Sequence, residues 1–395
     1  MINREIESKI KEAVKKYPVI TLTGPRQSGK TTLLKNAFPD YDYVNLEDPE
    51  IRNYAIEDSR GFLSQFKKGV ILDEVQRVPE LFSYIQVIVD QEQQNGRFIL
   101  SGSQNFLLLG GISQSLAGRT SIFHLLPFTK REIENRKPLV LENLIKESVK
   151  LSEYDLFKTV HTGFYPRIHD KNLDPQEWLG DYFQTYIQRD VRIILNVSDI
   201  TLFSNFVSLC AGRVGQLLNL SSLGADCGIS HSTAQRWLSL LESSFIVYRI
   251  NSHHKNFSKR IIKSPKLYFY DSGLLCYLLR IKTPEDLRIS SYRGNIFESF
   301  CISEFIKSSY NKKQNPDIHF WRDSTGHEID MLIEDREKLL PVEIKSGQTF
   351  NSSFLDGVKY WIDLSGCNKN DAYLIYGGDK KITYKGINVI PWYLL

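Results

Sequence analysis

The sequence predicts an α/β protein whose first part is a parallel αβα core, and three stretches carry that prediction. Val19 to Thr23 is a short, β-branched apolar run that opens into Gly24-Pro25-Arg26-Gln27-Ser28-Gly29-Lys30-Thr31-Thr32. Lys30 to Phe38, ending before Pro39, then has the pattern of a helix. Val70-Ile-Leu-Asp73-Glu74 and Arg97-Phe-Ile-Leu-Ser101 are two further apolar runs that end in polar residues. Strands that are apolar along their length and alternate with helices belong in a parallel sheet covered on both faces.

The first stretch contains a complete P-loop, G-x-x-x-x-G-K-T, between a strand and a helix. Its glycines let the backbone fold close around phosphate oxygens, and the helix N-terminus points N–H groups at negative charge. Lys30 can reach the β- and γ-phosphates of ATP, and Thr31 offers a hydroxyl to Mg²⁺. Residues Gly24 to Thr32 are therefore the expected nucleotide cradle.

Ahead of the loop, Ile2, Ile6, Ile10 and Val14 recur every fourth residue, which predicts an amphipathic helix over residues 2–16. Tyr41 to Leu46 reads as a second strand, with Glu47 and Asp48 as caps before the helix-starting Pro49. Asp73 and Glu74 end the next strand, a Walker B pattern about forty residues after the loop. Asp73 can hold the Mg²⁺ shell, and Glu74 is the candidate base that orients water. Ser103 or Gln104, at the end of the third run, can contact the γ-phosphate or the attacking water; a turn role is the alternative.

Composition excludes several classes. A net charge of +4 over 395 residues gives no global basic field, so any nucleic-acid site must be a local patch. The five cysteines, at 210, 227, 276, 301 and 367, have no metal-binding spacing and read as reduced, mostly buried thiols of a cytoplasmic protein. No apolar stretch approaches the roughly 18 residues that span a bilayer, so no membrane partner is expected.

Together, the P-loop, Asp73-Glu74, Ser101-Gly-Ser103 and Leu116-Ala-Gly-Arg119 resemble the AAA+ ATPases, in particular a prokaryotic family in which the ATPase core precedes a C-terminal region. The resemblance implies a homo-oligomer in which Arg119 reaches a neighbouring subunit's nucleotide. A surface salt bridge is the other reading of that arginine. Charged helical segments after Phe128 suit a lid, although no sensor-2 arginine motif is evident. Arg167 and Arg189 match recurring family motifs, with helix-face ion pairs as the default role.

Residues 203–250 carry a helix-turn-helix rhythm. In the third helix Ala234, Trp237, Leu238 and Leu241 share one face, leaving His231, Ser232, Gln235, Arg236 and Ser239 outward. Phe245 to Ile250 and Leu267 to Tyr270 alternate as wing strands around Lys255, Lys259, Arg260, Lys263 and Lys266. A winged helix of this kind contacts DNA or another protein, and both readings stand.

Farther on, Asp330 and the Glu343-x-Lys345 pair fall on two strands, with Glu298 on a preceding helix. The pattern resembles the PD-(D/E)XK nuclease fold, which implies a metal held by Glu298, Asp330 and Glu343 with Lys345 beside it. Ordinary paired surface charges are the competing reading. The expected division is an ATPase core at 1–127, a lid at 128–200, a winged helix at 201–283 and a nuclease-like α/β domain at 284–395. The expected activity is Mg²⁺-dependent ATP hydrolysis coupled to action on DNA in repair, recombination or defence. The alternative is a nucleotide-gated switch that signals through protein partners, its nuclease-like domain inactive.

Overall fold

We describe residues 2–103, 105–147, 154–186, 200–253, 264–335 and 338–395 from a computed structural model. The chain divides into two compact units. One comprises Met1–Phe128 with Ser243–Phe245 and Ser309–Asn315, and the other Thr129–Glu242 with Ile246–Ser308 and Pro316–Leu395.

In the first unit the order is α1 (Glu7–Val14), β1 (Val19–Thr23), α2 (Lys30–Ala37), β2 (Asp42–Asn45), α3 (Pro49–Glu57), α4 (Ser59–Ser64), β3 (Val70–Asp73), α5 (Glu80–Glu92), β4 (Phe98–Gly102), α6 (Asn105–Ser115) and β5 (Thr120–His124). The strands pair in the order β2-β3-β4-β1-β5, and every pairing is parallel. Alternation along each strand splits its side chains between two cores. Leu72 and Leu100 pack with Phe82 and Ile85 on one face, while Ile71 and Ile99 pack with Leu34 and Ile10 on the other. The three central strands are buried throughout, which is why they read as unbroken apolar runs.

α1 is shorter than the periodicity of residues 2–16 predicts. Arg4, before its first turn, instead donates to the carbonyls of Ser28 at 3.0 Å and Leu126 at 2.6 Å, tying that segment to the phosphate loop. Asp48 caps α3, accepting from Glu50 N and Ile51 N with Pro49 in the first turn.

The second unit opens with short helices, α7 (Lys130–Ile133), α8 (Leu141–Leu144), α9 (Leu156–Thr162), α10 (Pro166–Lys171) and α11 (Pro175–Tyr186). Three helices and a hairpin follow: α12 (Ile200–Gly212), α13 (Leu220–Cys227), α14 (His231–Ser243), then antiparallel β6 (Val247–Ile250) and β7 (Lys266–Phe269). The Ser230 hydroxyl accepts from Thr233 N at the start of α14. Trp237 sits edge-on to Phe203 and Phe206 of α12, with centroids 5.2 and 5.4 Å away. His231, Ser232, Gln235, Arg236 and Ser239 are exposed.

The hairpin is not a free wing. Just past β6, Asn251 O accepts from Phe320 N at 3.2 Å and His253 N donates to Phe320 O at 2.8 Å. Lys266, expected among the solvated wing cations, is only 3% exposed. Lys255, Lys259, Arg260 and Lys263 lie outside the described residues, as do Gln104 and Arg189.

The chain then forms α15 (Ser272–Leu278), α16 (Pro284–Ile289), α17 (Arg293–Asn311), β8 (Ile318–Arg322), β9 (Glu328–Asp335), β10 (Lys338–Lys345), α18 (Asp356–Ser365), β11 (Tyr373–Tyr376), β12 (Ile382–Tyr384) and β13 (Ile387–Pro391). The six strands order as β12-β13-β11-β10-β9-β8 in a mixed sheet, parallel only where β11 meets β10 and β13. Trp361 of α18 packs edge-on to Trp321 of β8, centroids 5.1 Å apart, at the centre of this core. Among the described residues no helix is long and apolar enough to cross a membrane.

Candidate functional site

The phosphate loop leaves β1 through Gly24, whose φ of +153° and close approach exclude a side chain: a Cβ there would lie 2.0 Å from Leu125 O. Gly29, also left-handed at φ +91°, starts α2. The Lys30 ammonium is buried and donates to the carbonyls of Gly24 at 2.9 Å and Pro25 at 2.8 Å. Ser28 is buried, Arg26 is half-buried, and Gln27 and Thr32 are exposed.

Parallel pairing sets Asp73 of β3 beside Ser101 of β4, at the end of the sheet where the loop emerges. Both carboxylate oxygens of Asp73 are engaged. Oδ2 accepts from Thr31 Oγ1 at 2.7 Å and Tyr43 OH at 2.9 Å, and Oδ1 accepts from Ser101 Oγ and from Glu74 N at 3.2 Å. Thr31 and Asp73 thus present a pair of hard oxygen donors, the chemistry that suits a magnesium ion. Burial, followed by the nearby Asp73 carboxylate, pushes the Tyr43 phenol well above its ordinary range. The Lys35 ammonium lies 3.5 Å from the centroid of its ring.

Glu74 takes a left-handed conformation, φ +55° and ψ +40°, uncommon for a residue with a side chain. Its Oε2 accepts from Gln76 Nε2 at 2.6 Å and from Ser103 Oγ at 3.2 Å. Gln76 fits because residue 102 is glycine: a Cβ there would fall 2.2 Å from Gln76 Oε1. Arg119 lies at the surface and forms a two-point ion pair with Asp90, at 2.6 and 2.8 Å. The charge-assisted hydrogen bond from Arg119 holds the Asp90 carboxyl below its ordinary value. Arg167 is exposed on α10.

Two of these residues, Tyr43 and Gln76, were not among the sequence candidates. Gln76 had a signal, since it lies two residues past Glu74. Tyr43 had none beyond its place in a strand.

Residues 16–134 match the AAA domain. The chain carries an AAA domain. Beyond it, residues 153–285 and 293–395 match two domains of unknown function, DUF8612 and DUF4143. An uncharacterized protein of Mycobacterium tuberculosis is 28% identical over 350 residues, covering 88% of this chain and 74% of that protein. An uncharacterized protein of Haemophilus influenzae is 21% identical over 349 residues, covering 82% and 81%. Among solved structures, the Walker-type ATPase PABY2304 of Pyrococcus abyssi aligns at 17% identity over 70% of this chain and 96% of that one, TM-score 0.43. The RuvB Holliday junction branch migration motor of Thermotoga maritima aligns at 17% identity over 63% and 90%, TM-score 0.32. The AAA domain fits the parallel sheet and the P-loop geometry of the first unit.

A second polar centre lies in the other unit, outside the AAA domain. Asp330 Oδ2 accepts from Ile344 N at 2.8 Å and lies 3.6 Å from the Lys345 ammonium, which also contacts Glu343. Glu298 Oε1 accepts from Tyr268 OH at 2.5 Å and from Lys266 Nζ at 3.2 Å. Lys266 also pairs with Glu328, which Arg322 meets at 3.2 Å. Burial, and then the Asp330 charge, pushes the Glu343 carboxyl up, and burial does the same to Glu298 against the pull of Lys266. Glu298, Asp330, Glu343 and Lys345 are therefore gathered in one centre. Among the described residues, however, no group of three or more His, Cys, Asp or Glu side chains is arranged to hold a metal ion. The carboxylates expected as a metal set are bonded to lysines instead, and Lys266 and Tyr268 of β7 were not foreseen there.

Proposed function

We propose that this chain is a Mg²⁺-dependent ATPase whose ATP binding and hydrolysis drive or gate action on DNA. The observation that carries the reading is the 2.7 Å bond joining Thr31 of the loop to Asp73, with Glu74 next in the chain and held by Gln76 and Ser103. In this reading Gly24 to Thr32 cradle the phosphates and Lys30 leaves its loop carbonyls for phosphate oxygens. Thr31 and Asp73 hold the ion, which when bound would neutralise charge on the phosphates. Glu74 accepts the proton of the attacking water, with Oε2 fixed by two donors and Oε1 left to face it. Ser103, already within reach of Glu74, reports the γ-phosphate. Arg119 exchanges Asp90 for the nucleotide of a neighbouring copy, which assigns the protein a homo-oligomer.

The DNA part rests on α14, whose exposed His231, Gln235 and Arg236 are residue types that meet bases and phosphates. The test is steady-state ATP turnover with no DNA, single strands, duplex and branched DNA, with Lys30→Ala as blank. A rate that rises with one DNA form and vanishes in Lys30→Ala is expected. Turnover indifferent to every DNA sinks the DNA part.

One observation favours a second reading, the nucleotide-gated switch with an inactive nuclease-like domain. Glu298 is already paired with Lys266 and Glu343 with Lys345, and the hairpin is bonded to Phe320. In that case Mg²⁺ or Mn²⁺ supports no DNA cleavage by the wild type.

Tyr43 belongs to the same proposal as a positioning residue, because its hydroxyl shares Asp73 Oδ2 with Thr31. A typical hydrogen bond contributes about 1 kcal/mol, or roughly fivefold in an equilibrium. Tyr43→Phe is expected to raise the Mg²⁺ concentration for half-maximal binding of a fluorescent ATP analogue about fivefold, leaving Mg²⁺-free binding unchanged. An equal loss with and without Mg²⁺ assigns Tyr43 a purely structural role.

A further inference from the structure

The first unit carries a pocket at the end of its sheet opposite the phosphate loop. Its strands run parallel, so residues that precede β3 and β4 lie far from Asp73 and Ser101 at the other ends of those strands. Lys67 stands three residues before β3, and Arg97 immediately before β4. With Arg60 of α4 and with Tyr84, Val87 and Glu92 of α5, they line a pocket of about 470 Å³. That volume is in the range of small-ligand sites.

The charge of the lining is out of balance, three cations to one carboxylate. Glu92, that carboxylate, is already paired with Arg97. The side chains of Arg60 and Lys67 form no hydrogen bond or ion pair among the described residues. Cations near the end of a helix commonly donate to its last carbonyls, and neither does so here. Arg97 is 7% exposed, and its Nε has no hydrogen-bond partner. A buried donor left unmet costs the folded state its lost hydration, which a ligand oxygen at Nε would recover.

The pocket also has an apolar wall. Tyr84 and Val87 are three residues apart on α5, hence on one helix face, and are 40% and 44% exposed. Cations beside such a wall suit a ligand with an anionic head and an apolar body. Two guanidinium groups and an ammonium match the double charge and three terminal oxygens of a phosphate monoester better than the single charge of a carboxylate.

We propose that this pocket binds a small organic phosphate, whose head meets Arg60, Lys67 and Arg97 and whose apolar body lies on Tyr84 and Val87. The site is separate from the nucleotide cradle and does not depend on ATP hydrolysis by the chain.

The probe is phenyl phosphate, titrated calorimetrically into the full chain carrying Lys30→Ala, which weakens the phosphate loop as a competing site. A dissociation constant of about 0.1–1 mM is expected for a ligand of this size. Inorganic phosphate, which lacks the ring, should bind at least about tenfold more weakly. Adding Arg60→Ala and Lys67→Ala together should weaken phenyl phosphate at least about tenfold, and adding Tyr84→Ala should remove most of its advantage over inorganic phosphate. All three positions are exposed, so the fold is not at stake, and circular dichroism checks it. No binding of phenyl phosphate at about 10 mM, well above the expected constant, overturns the proposal. An affinity unchanged by the loss of Arg60 and Lys67 overturns it too. A phosphopeptide or a 5′-phosphorylated oligonucleotide that binds at least about tenfold more tightly than phenyl phosphate, through the same two cations, would overturn the assignment to a small molecule.

Discussion

Glu74→Gln is expected to lower steady-state ATP turnover by about 10²–10⁴-fold, the range typical for loss of a general base. ATP affinity should stay within a factor of about three, because the change preserves shape and removes only the capacity to accept a proton. The geometry sharpens this expectation. Two donors, Gln76 Nε2 and Ser103 Oγ, already meet Glu74 Oε2, so that oxygen is committed to holding the side chain. The left-handed backbone at Glu74, φ +55°, turns its side chain away from the direction a regular strand would give it. A residue held in an uncommon conformation by two partners suits a role in which direction matters. Turnover is measured with and without DNA, and affinity with a fluorescent nucleotide. A rate within tenfold of the wild type would mean that the base is another group. A parallel collapse of affinity would make Glu74 a prop for the loop.

The phosphate loop and the strand end of the candidate site were legible in the sequence because their residues are local. The P-loop is one uninterrupted stretch, and Asp73-Glu74 ends a strand whose apolar character identifies it. Two features escaped for physical reasons. Tyr43 meets Asp73 only because β2 lies beside β3 in the sheet, and strand order is not written in any single strand. Lys266 shows the opposite failure. Its neighbours in sequence are basic, so composition placed it in solvent, whereas pairing with β6 brings it to Glu298, 32 residues farther on. The outward face of α14 was read correctly since helical period alone decides it, and the same holds for the alternation that puts Ile71 and Leu72 in opposite cores.

The segment after Phe128 is the clearest case in which composition misled, and it yields the second large expected effect. Lys130-Arg131-Glu132 reads as part of a charged helical lid, yet all three are buried, Arg131 at 1% exposure. The reason is a set of backbone carbonyls that the sequence does not advertise. Arg131 donates to Leu394 O at 2.5 Å and Lys137 O at 2.8 Å, and meets both oxygens of Glu147 at 3.1 and 2.9 Å. Lys130 donates to Tyr393 O at 2.7 Å, and Arg136 reaches the same carbonyl at 2.9 Å. Three cations thus fasten residues 393–394 to the start of the second unit. Arg131→Ala takes the donor from Lys137 O and one of two guanidinium partners from Leu394 O and Glu147, which Arg136 still meets at 3.2 and 2.7 Å, so a loss of about 1–3 kcal/mol is expected. Arg131→Lys should recover only part of the loss, because an ammonium cannot present the planar fork that meets Glu147 at two points. All five tryptophans lie at position 178 or beyond, within the second unit, so their fluorescence during urea unfolding reports that unit alone. An unchanged midpoint in Arg131→Ala would show that the carbonyls find water in its place and that the charged run contributes little to holding this end of the chain.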